Sequence, residues 1–267
     1  MSMQGFLDRT FLILGHEGIE ALSAPLIALS GLGGVGGGTF LNLVRSGVKR
    51  FRLAENGVFD PPDMNRQAAA FASTLGRPKI EVYEELARDI NPEIELELFP
   101  EGLSTDNLER FLEGSDVYIG VIDFEKGADV KAMTPDLLKR FNVPLFSAMV
   151  VGLAAILVAH RPEGMMPGEF WGLVRKRSAG EGFPSFMSGR FGSTVAERID
   201  NSIRARKSPS TSIGGAFAGA ILASEVVAYL LRETALVTRE TVFAPRFIVV
   251  DPMRPIMEVV DVTAHES

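Results

Sequence analysis

With 267 residues, 46% of them hydrophobic and 23% charged, the chain has the composition of a folded globular protein large enough to bury a substantial core. A net charge of −7 disfavours a general nucleic-acid binder, whose surface has to neutralise phosphates. The absence of cysteine excludes disulfides, a catalytic thiol and thiolate zinc, and His16, His160 and His265 lack the close spacing of a zinc site; a cytoplasmic protein without zinc is expected.

The first segment, residues 1–24, is expected to be helical, and an acidic Asp8 soon after a short apolar patch does not suit a signal peptide. Residues 26–30 form a short apolar strand that runs straight into a glycine-rich loop at 31–37. Residues 38–46 have helical character, with Phe40, Leu41 and Val44 available for a sheet-facing side, and residues 49–54 alternate at Phe51 and Leu53 as a strand does. The next two segments, 63–74 and 79–89, predict helices, the second stopping before Asn91-Pro92. Residues 94–98 alternate apolar and acidic side chains, a half-exposed strand. A short helix at 107–113 leads to a continuously apolar strand at 116–122, of the kind buried on both faces. A helix at 134–141 and a strand at 143–149 complete the alternation, which implies parallel pairing with right-handed crossovers.

Residues 143–159 are uncharged for 17 positions, near the lower limit of a membrane span. Pro144 and Gly152 fit a strand, a break and a second strand better. Residues 161–209 are rich in glycine, proline and serine and read as a long crossover excursion. It carries two basic clusters, Arg175-Lys176-Arg177 and Arg204-Ala205-Arg206-Lys207, either solvated or part of a cover over a substrate. A helix at 213–232, small-residue-rich and carrying Glu225, suits close packing on a sheet, and strands at 246–251 and 256–262 make a final hairpin. The expected architecture is a single α/β domain over 1–267. A Rossmann-like, mostly parallel sheet over 25–160 is flanked by helices, and 210–267 adds an antiparallel strand extension. No membrane span is expected.

Gly31-x-Gly33-x-x-Gly36, directly after a strand and opening a helix, is a phosphate-binding context. The helix start offers uncompensated amides and a partial positive charge to an anion. Glu55, at the end of the second strand, stands where an acid accepts hydrogen bonds from ribose hydroxyls. These features suit NAD as well as ATP. Arg66, Lys79 and Asp123 favour ATP, because two cations can neutralise phosphate oxygens while a carboxylate holds the bridging magnesium. A dehydrogenase leaves those three unexplained.

The segments GLGGVGG at 31–37, LVRSGV at 43–48, MNRQ at 64–67, GRPK at 76–79, INP at 90–92 and DVYIGVID at 116–123 together resemble the ThiF/MoeB/HesA superfamily, bacterial relatives of ubiquitin-activating enzymes. The resemblance implies adenylation of a carboxylate, such as the C-terminal glycine of a ubiquitin-like or sulfur-carrier protein, with a homodimer as the working form. It implies that Gly31, Gly33, Gly34 and Gly36 line the phosphate loop, that Glu55 holds the ribose, and that Arg66, Gln67 and Lys79 contact the triphosphate. Asp123 would coordinate Mg2+, and Arg9 would reach the neighbouring subunit's ATP site. Four positions depart from the family: Glu55 stands in place of the usual Asp, Gly57 replaces the second acid of an Asp-x-Asp pair, Asp63 replaces an asparagine, and Phe124 follows Asp123 where asparagine is common. A carboxylate at 63 is unfavourable beside a triphosphate unless a cation offsets it. Without cysteine, no thioester step follows adenylation. The competing readings are a non-catalytic binding or scaffold relative with a degenerate ATP site, and an NAD-dependent oxidoreductase.

Overall fold

The computed structural model describes residues 3–123, 127–177, 192–205, 207 and 209–264. Phe124, Arg206, His265 and the middle of the 161–209 excursion lie outside the described residues. Among the described residues, eight strands form one sheet in the order β3-β2-β1-β4-β5-β6-β7-β8. β1 (Leu26–Ser30), β2 (Arg50–Ala54), β3 (Glu95–Phe99), β4 (Val117–Gly120) and β5 (Leu145–Val151) pair in parallel. β6 (Ala154–His160), β7 (Arg246–Asp251) and β8 (Ile256–Asp261) continue the sheet antiparallel. The α/β class and the antiparallel extension therefore stand as expected from the sequence. Gly152, at a φ of 64°, makes the break between β5 and β6.

Period-two alternation in β1 sends Ile27 and Leu29 to one face and Ala28 to the other. The first face is covered by α2 (Asp8–Ser23), α3 (Gly36–Ser46), α4 (Lys79–Ile90) and α9 (Ser212–Leu230), which contribute Leu22, Phe40, Leu43, Tyr83, Leu222 and Val226. The second face is covered by α5 (Leu108–Leu112) and α6 (Ala128–Phe141). A short α1 (Met3–Phe6) precedes α2, which breaks its helical path at Gly15, where φ is 60° and ψ −166°.

α9 is long and apolar enough to cross a membrane, yet 56% of its most apolar window is buried in the fold. Its Gly219 faces α3: the Cβ that this residue lacks would stand 3.1 Å from the Thr39 amide nitrogen and 3.2 Å from the Val35 carbonyl oxygen. Its one carboxylate, Glu225, is buried and takes both guanidinium nitrogens of Arg239 at 2.6 and 3.1 Å together with the Val242 amide at 2.7 Å.

Two expectations need correction. Residues 63–74 are not a helix: Pro61–Asn65 is a 3-10 turn, followed by further turns. Pro61 and Pro62 open it, Asp60 and Asp63 close a capping box over it, and Arg66 leaves helical geometry at φ −151°. The excursion over 161–209 is not loop throughout. It contains α7 (Pro167–Lys176) and α8 (Ser193–Arg204), which bury Phe170, Val174 and Ile199 against β6 and β7. Glycine and proline in the composition hid helices whose apolar positions are few. The first basic cluster accordingly ends α7, and Arg204 ends α8 in an ion pair with Asp200 at 2.8 Å. α6 also begins earlier than expected, at Ala128, with Pro135 accommodated inside it.

Candidate functional site

The chain leaves β1 toward β2 and β3 on one side and returns to β4 on the other, so the strand order reverses between β1 and β4. Such switch points open a crevice outside the carboxyl ends of the strands. The registers Ser30↔Ala54 and Ser30↔Gly120 place Gly31, Glu55 and Val121 side by side on that edge.

The glycines of the loop serve two different needs. Gly31 has a φ of 91°, and a Cβ there would stand 2.7 Å from the Val121 carbonyl oxygen. A Cβ on Gly36 would overlap the Gly31 carbonyl oxygen at 1.8 Å. These two allow the strand to turn tightly into α3. Gly33 and Gly34 meet nothing so close: their absent Cβ atoms would lie 3.9 Å from the Gln67 amide nitrogen and 3.3 Å from the Arg66 Cγ. They keep the backbone open to a ligand. No side chain caps α3 at Val35; of its first-turn amides that of Gly37 already donates to the Gly33 carbonyl at 3.0 Å, which leaves those of Gly36 and Gly38 to meet an anion.

Glu55 reaches back under this loop. One carboxylate oxygen accepts the Leu32 amide at 2.8 Å and the other accepts the Gly57 amide at 2.7 Å. Each oxygen keeps a second lone pair for an outside donor. The arrangement accounts for Gly57, because a Cβ at that position would stand 3.0 Å from the same Glu55 oxygen. Gly57 thus leaves room for the Glu55 carboxylate against its own amide.

The second departure, Asp63, is the centre of a cluster. Its Oδ2 lies 3.0 Å from Lys79 Nζ and accepts the Asp60 amide at 3.1 Å. Its Oδ1 accepts the Gln67 side-chain amide and lies 3.6 Å from the Arg66 guanidinium. Asp63 and Lys79 are only 10% and 13% exposed in their side chains. Lys79 Nζ also sits 5.6 Å over the ring of Phe59. Arg66 donates to the Pro62 carbonyl and to Asn65 Oδ1, at 2.8 and 3.0 Å, which fixes its guanidinium, while its Cγ and Cδ lie beside Gly34. Arg66, Gln67 and Lys79 are thus brought together, by a residue that from sequence carried only an unfavourable charge.

Asp123 lies three residues beyond the end of β4 and is exposed. Its carbonyl oxygen accepts Lys131 Nζ from α6 at 2.7 Å. Burial lowers the Lys131 ammonium from its ordinary pKa, and the Asp123 charge opposes that shift. Lys131 went unnoticed in the sequence, since a lysine in the second turn of a helix carries no local signal. Gly215 of α9 was missed as well: it brings that helix against the loop, its absent Cβ 3.4 Å from the Arg66 carbonyl oxygen and 3.5 Å from that of Gly34. Among the described residues, no group of three or more His, Cys, Asp or Glu side chains could hold a metal. Magnesium nevertheless fits the chemistry of one carboxylate, because it keeps waters and takes its remaining ligands from substrate phosphates.

Arg9 is not part of this cluster. Two residues before it, Leu7 packs against Gly47 beyond the far end of α3, whose 11 residues span about 16 Å. Arg9 itself is exposed.

Comparison with known proteins places the fold. The chain is 35% identical over 143 residues to the tRNA threonylcarbamoyladenosine dehydratase of Bacillus subtilis, a stretch covering 53% of this chain and 55% of that protein. It is 26% identical over 150 residues to the sulfur carrier protein adenylyltransferase of Thermus thermophilus, covering 56% and 54%. The matched stretch spans about half the length of these relatives. The crystal structure of E. coli MccB with ATP superposes with a TM-score of 0.67 at 16% identity, over 92% of this chain and 66% of that one. The ThiF family matches residues 7–267, essentially the whole described fold, and the chain belongs to that family.

Proposed function

We propose that this chain adenylates a substrate carboxylate with ATP and magnesium. The observation that carries this reading is the convergence of Lys79, Arg66 and the uncapped start of α3 on one mouth of the sheet, beside Glu55. A dinucleotide's diphosphate has less need of an arginine, a lysine and an acid at one mouth than a triphosphate with its magnesium has. The relatives' names point the same way, toward adenylyl transfer and an ATP complex.

In the proposed reaction a carboxylate oxygen bonds to the α-phosphorus of ATP, the bond from that phosphorus to the β-phosphate oxygen breaks, and pyrophosphate leaves with the electron pair. No side-chain base is needed, since a carboxylate is ionised at neutral pH. The loop amides and Gly33 and Gly34 hold the phosphates close to the backbone, Glu55 orients the ribose, and Arg66, Gln67 and Lys79 meet the phosphate charge. Magnesium, held by Asp123, would supply further charge neutralisation on the phosphates. Catalysis is then positioning and electrostatics. With no cysteine in the chain, the acyl-adenylate passes to an external nucleophile.

We further propose that residues 1–267 act as one adenylyltransferase-like domain, cytoplasmic, with the described helices of 161–209 beside the substrate. In a homodimer Arg9 serves the neighbouring subunit's site; the exposure of Leu12 and Ile13 next to it, 73% and 78%, supports a partner there. The substrate class proposed is the C-terminal carboxylate of a small carrier protein, as the name of the sulfur carrier protein adenylyltransferase suggests, with the modified tRNA nucleoside named for the Bacillus subtilis relative as the alternative.

The test is pyrophosphate exchange into ATP in the presence of candidate carboxylates. Exchange that depends on both magnesium and a carboxylate is expected. ATP binding without any exchange would assign the chain to the non-catalytic reading, and thermal stabilisation by NAD in place of ATP would assign it to oxidoreductases.

A further inference from the structure

We infer that Asp63 is a positioning residue that sets how the site ranks nucleotides by charge; the inference rests on the ATP reading. Three groups proposed to meet phosphate, Arg66, Gln67 and Lys79, are held by this single carboxylate. It is fixed in turn by the Asp60 amide at 3.1 Å, inside a capping box that shapes the Pro61–Asn65 turn. Its negative charge is 3.0 Å from the ammonium it positions.

Two effects follow and oppose each other. The carboxylate orients Lys79 and Gln67, which favours any phosphate ligand. It also cancels one of the two positive charges at the mouth, which penalises each additional negative charge on the ligand. The cluster Arg66, Lys79 and Asp63 carries a net charge of +1, where an asparagine at 63 would leave +2. Asp63 therefore makes the site depend on a divalent cation to accept a triphosphate, and disfavours the free tetra-anion.

Asp63→Asn separates the two effects. The asparagine oxygen still accepts from Lys79 and Asp60. Its amide nitrogen would face Gln67, whose side-chain oxygen is buried without a hydrogen-bond partner and becomes the natural acceptor once the Gln67 amide turns over. The variant is expected to keep its fold, checked by thermal unfolding.

The experiment measures the affinities of AMP, ADP and ATP in EDTA, and of ATP with magnesium, for the wild type and the variant. Asp63→Asn should tighten metal-free ATP about tenfold relative to AMP, with ADP between, and should weaken the dependence of ATP binding on magnesium. A uniform change for all three nucleotides, or no change, overturns the proposal, because a merely structural residue does not sort ligands by charge. A second arm needs no ligand: reductive methylation of Lys79 by formaldehyde with cyanoborohydride as the hydride donor, followed by mass spectrometry, should run several-fold faster in Asp63→Asn. If neither protein binds any nucleotide while the labelling rates differ, the ATP reading fails and Asp63 remains the residue that holds Lys79. Equal labelling rates overturn the positioning role itself.

Discussion

The Tyr83 hydroxyl lies 1.7 Å from the point where a Cβ on Gly37 would stand, so the first turn of α3 and the face of α4 fit only because position 37 has no side chain. Gly37→Ala must displace either the ring or the helix start, and both border the phosphate loop. Overpacking of this kind destabilises by about 1–3 kcal/mol, and nucleotide affinity should fall with it. Denaturant unfolding and nucleotide titration of the variant check this. Tyr83→Phe is the control: the buried hydroxyl makes no hydrogen bond of good geometry. Its removal should change stability by less than about 1 kcal/mol.

Glu55 binds two backbone amides with two oxygens, and only a carboxylate can do that. Glu55→Gln turns an N–H toward one of them, leaving either Leu32 or Gly57 without its acceptor. The expected loss is about 1–2 kcal/mol, with faster hydrogen exchange confined to residues 31–34 and 55–58. Uniform exchange across the chain would contradict the local clamp.

The buried Glu225 pins the connection after α9 through Arg239 and Val242. Arg239→Ala strands that carboxylate with the Val242 amide alone, and should destabilise by about 2 kcal/mol, less than for a fully buried pair because Arg239 is half exposed. Glu225→Gln keeps the Val242 bond and removes the charge, so it should be the milder change. The reverse order in urea midpoints would show that the charge pair is not what matters there.

His160, buried at the end of β6, is pushed down to about 4 by desolvation, which the bond from its Nδ1–H to the Met165 carbonyl at 2.8 Å only partly offsets. Its unfolded value is near 6.5, so between these values the unfolded chain binds the extra proton. Stability should therefore fall as pH drops from about 6.5 to about 4, by up to roughly 3 kcal/mol from this group. Urea midpoints at pH 7, 5.5 and 4.5 measure it. His160→Phe should flatten that part of the profile relative to the wild type.

Much of the architecture was legible in the sequence because it rests on local signals. The period-two strands at Phe51 and Leu53, the apolar β4 and the glycine loop each announce themselves within a few residues. The site was legible as a set of residue types, not as an arrangement. Arg66, Gln67 and Lys79 were picked out, while Asp63 was read as a liability, since its benefit comes from contacts four and sixteen residues away across a turn. That turn was itself misread as helix. Gly57 was read as a missing acid, and its close approach to the Glu55 carboxylate carried no signal in the sequence. The helices α7 and α8 escaped because few of their residues are buried.

The glycine seam between α9 and α3 leaves no side chain as a cushion between the two backbones. The phosphate loop, encoded near residue 31, thus takes part of its rigidity from a helix encoded 180 residues later. Slow-exchanging amides of α3 from Thr39 onward and in the middle of α9 should open together, as one cooperative unit. A fragment ending after β6 would keep every residue of the loop and lose the surface that holds it still.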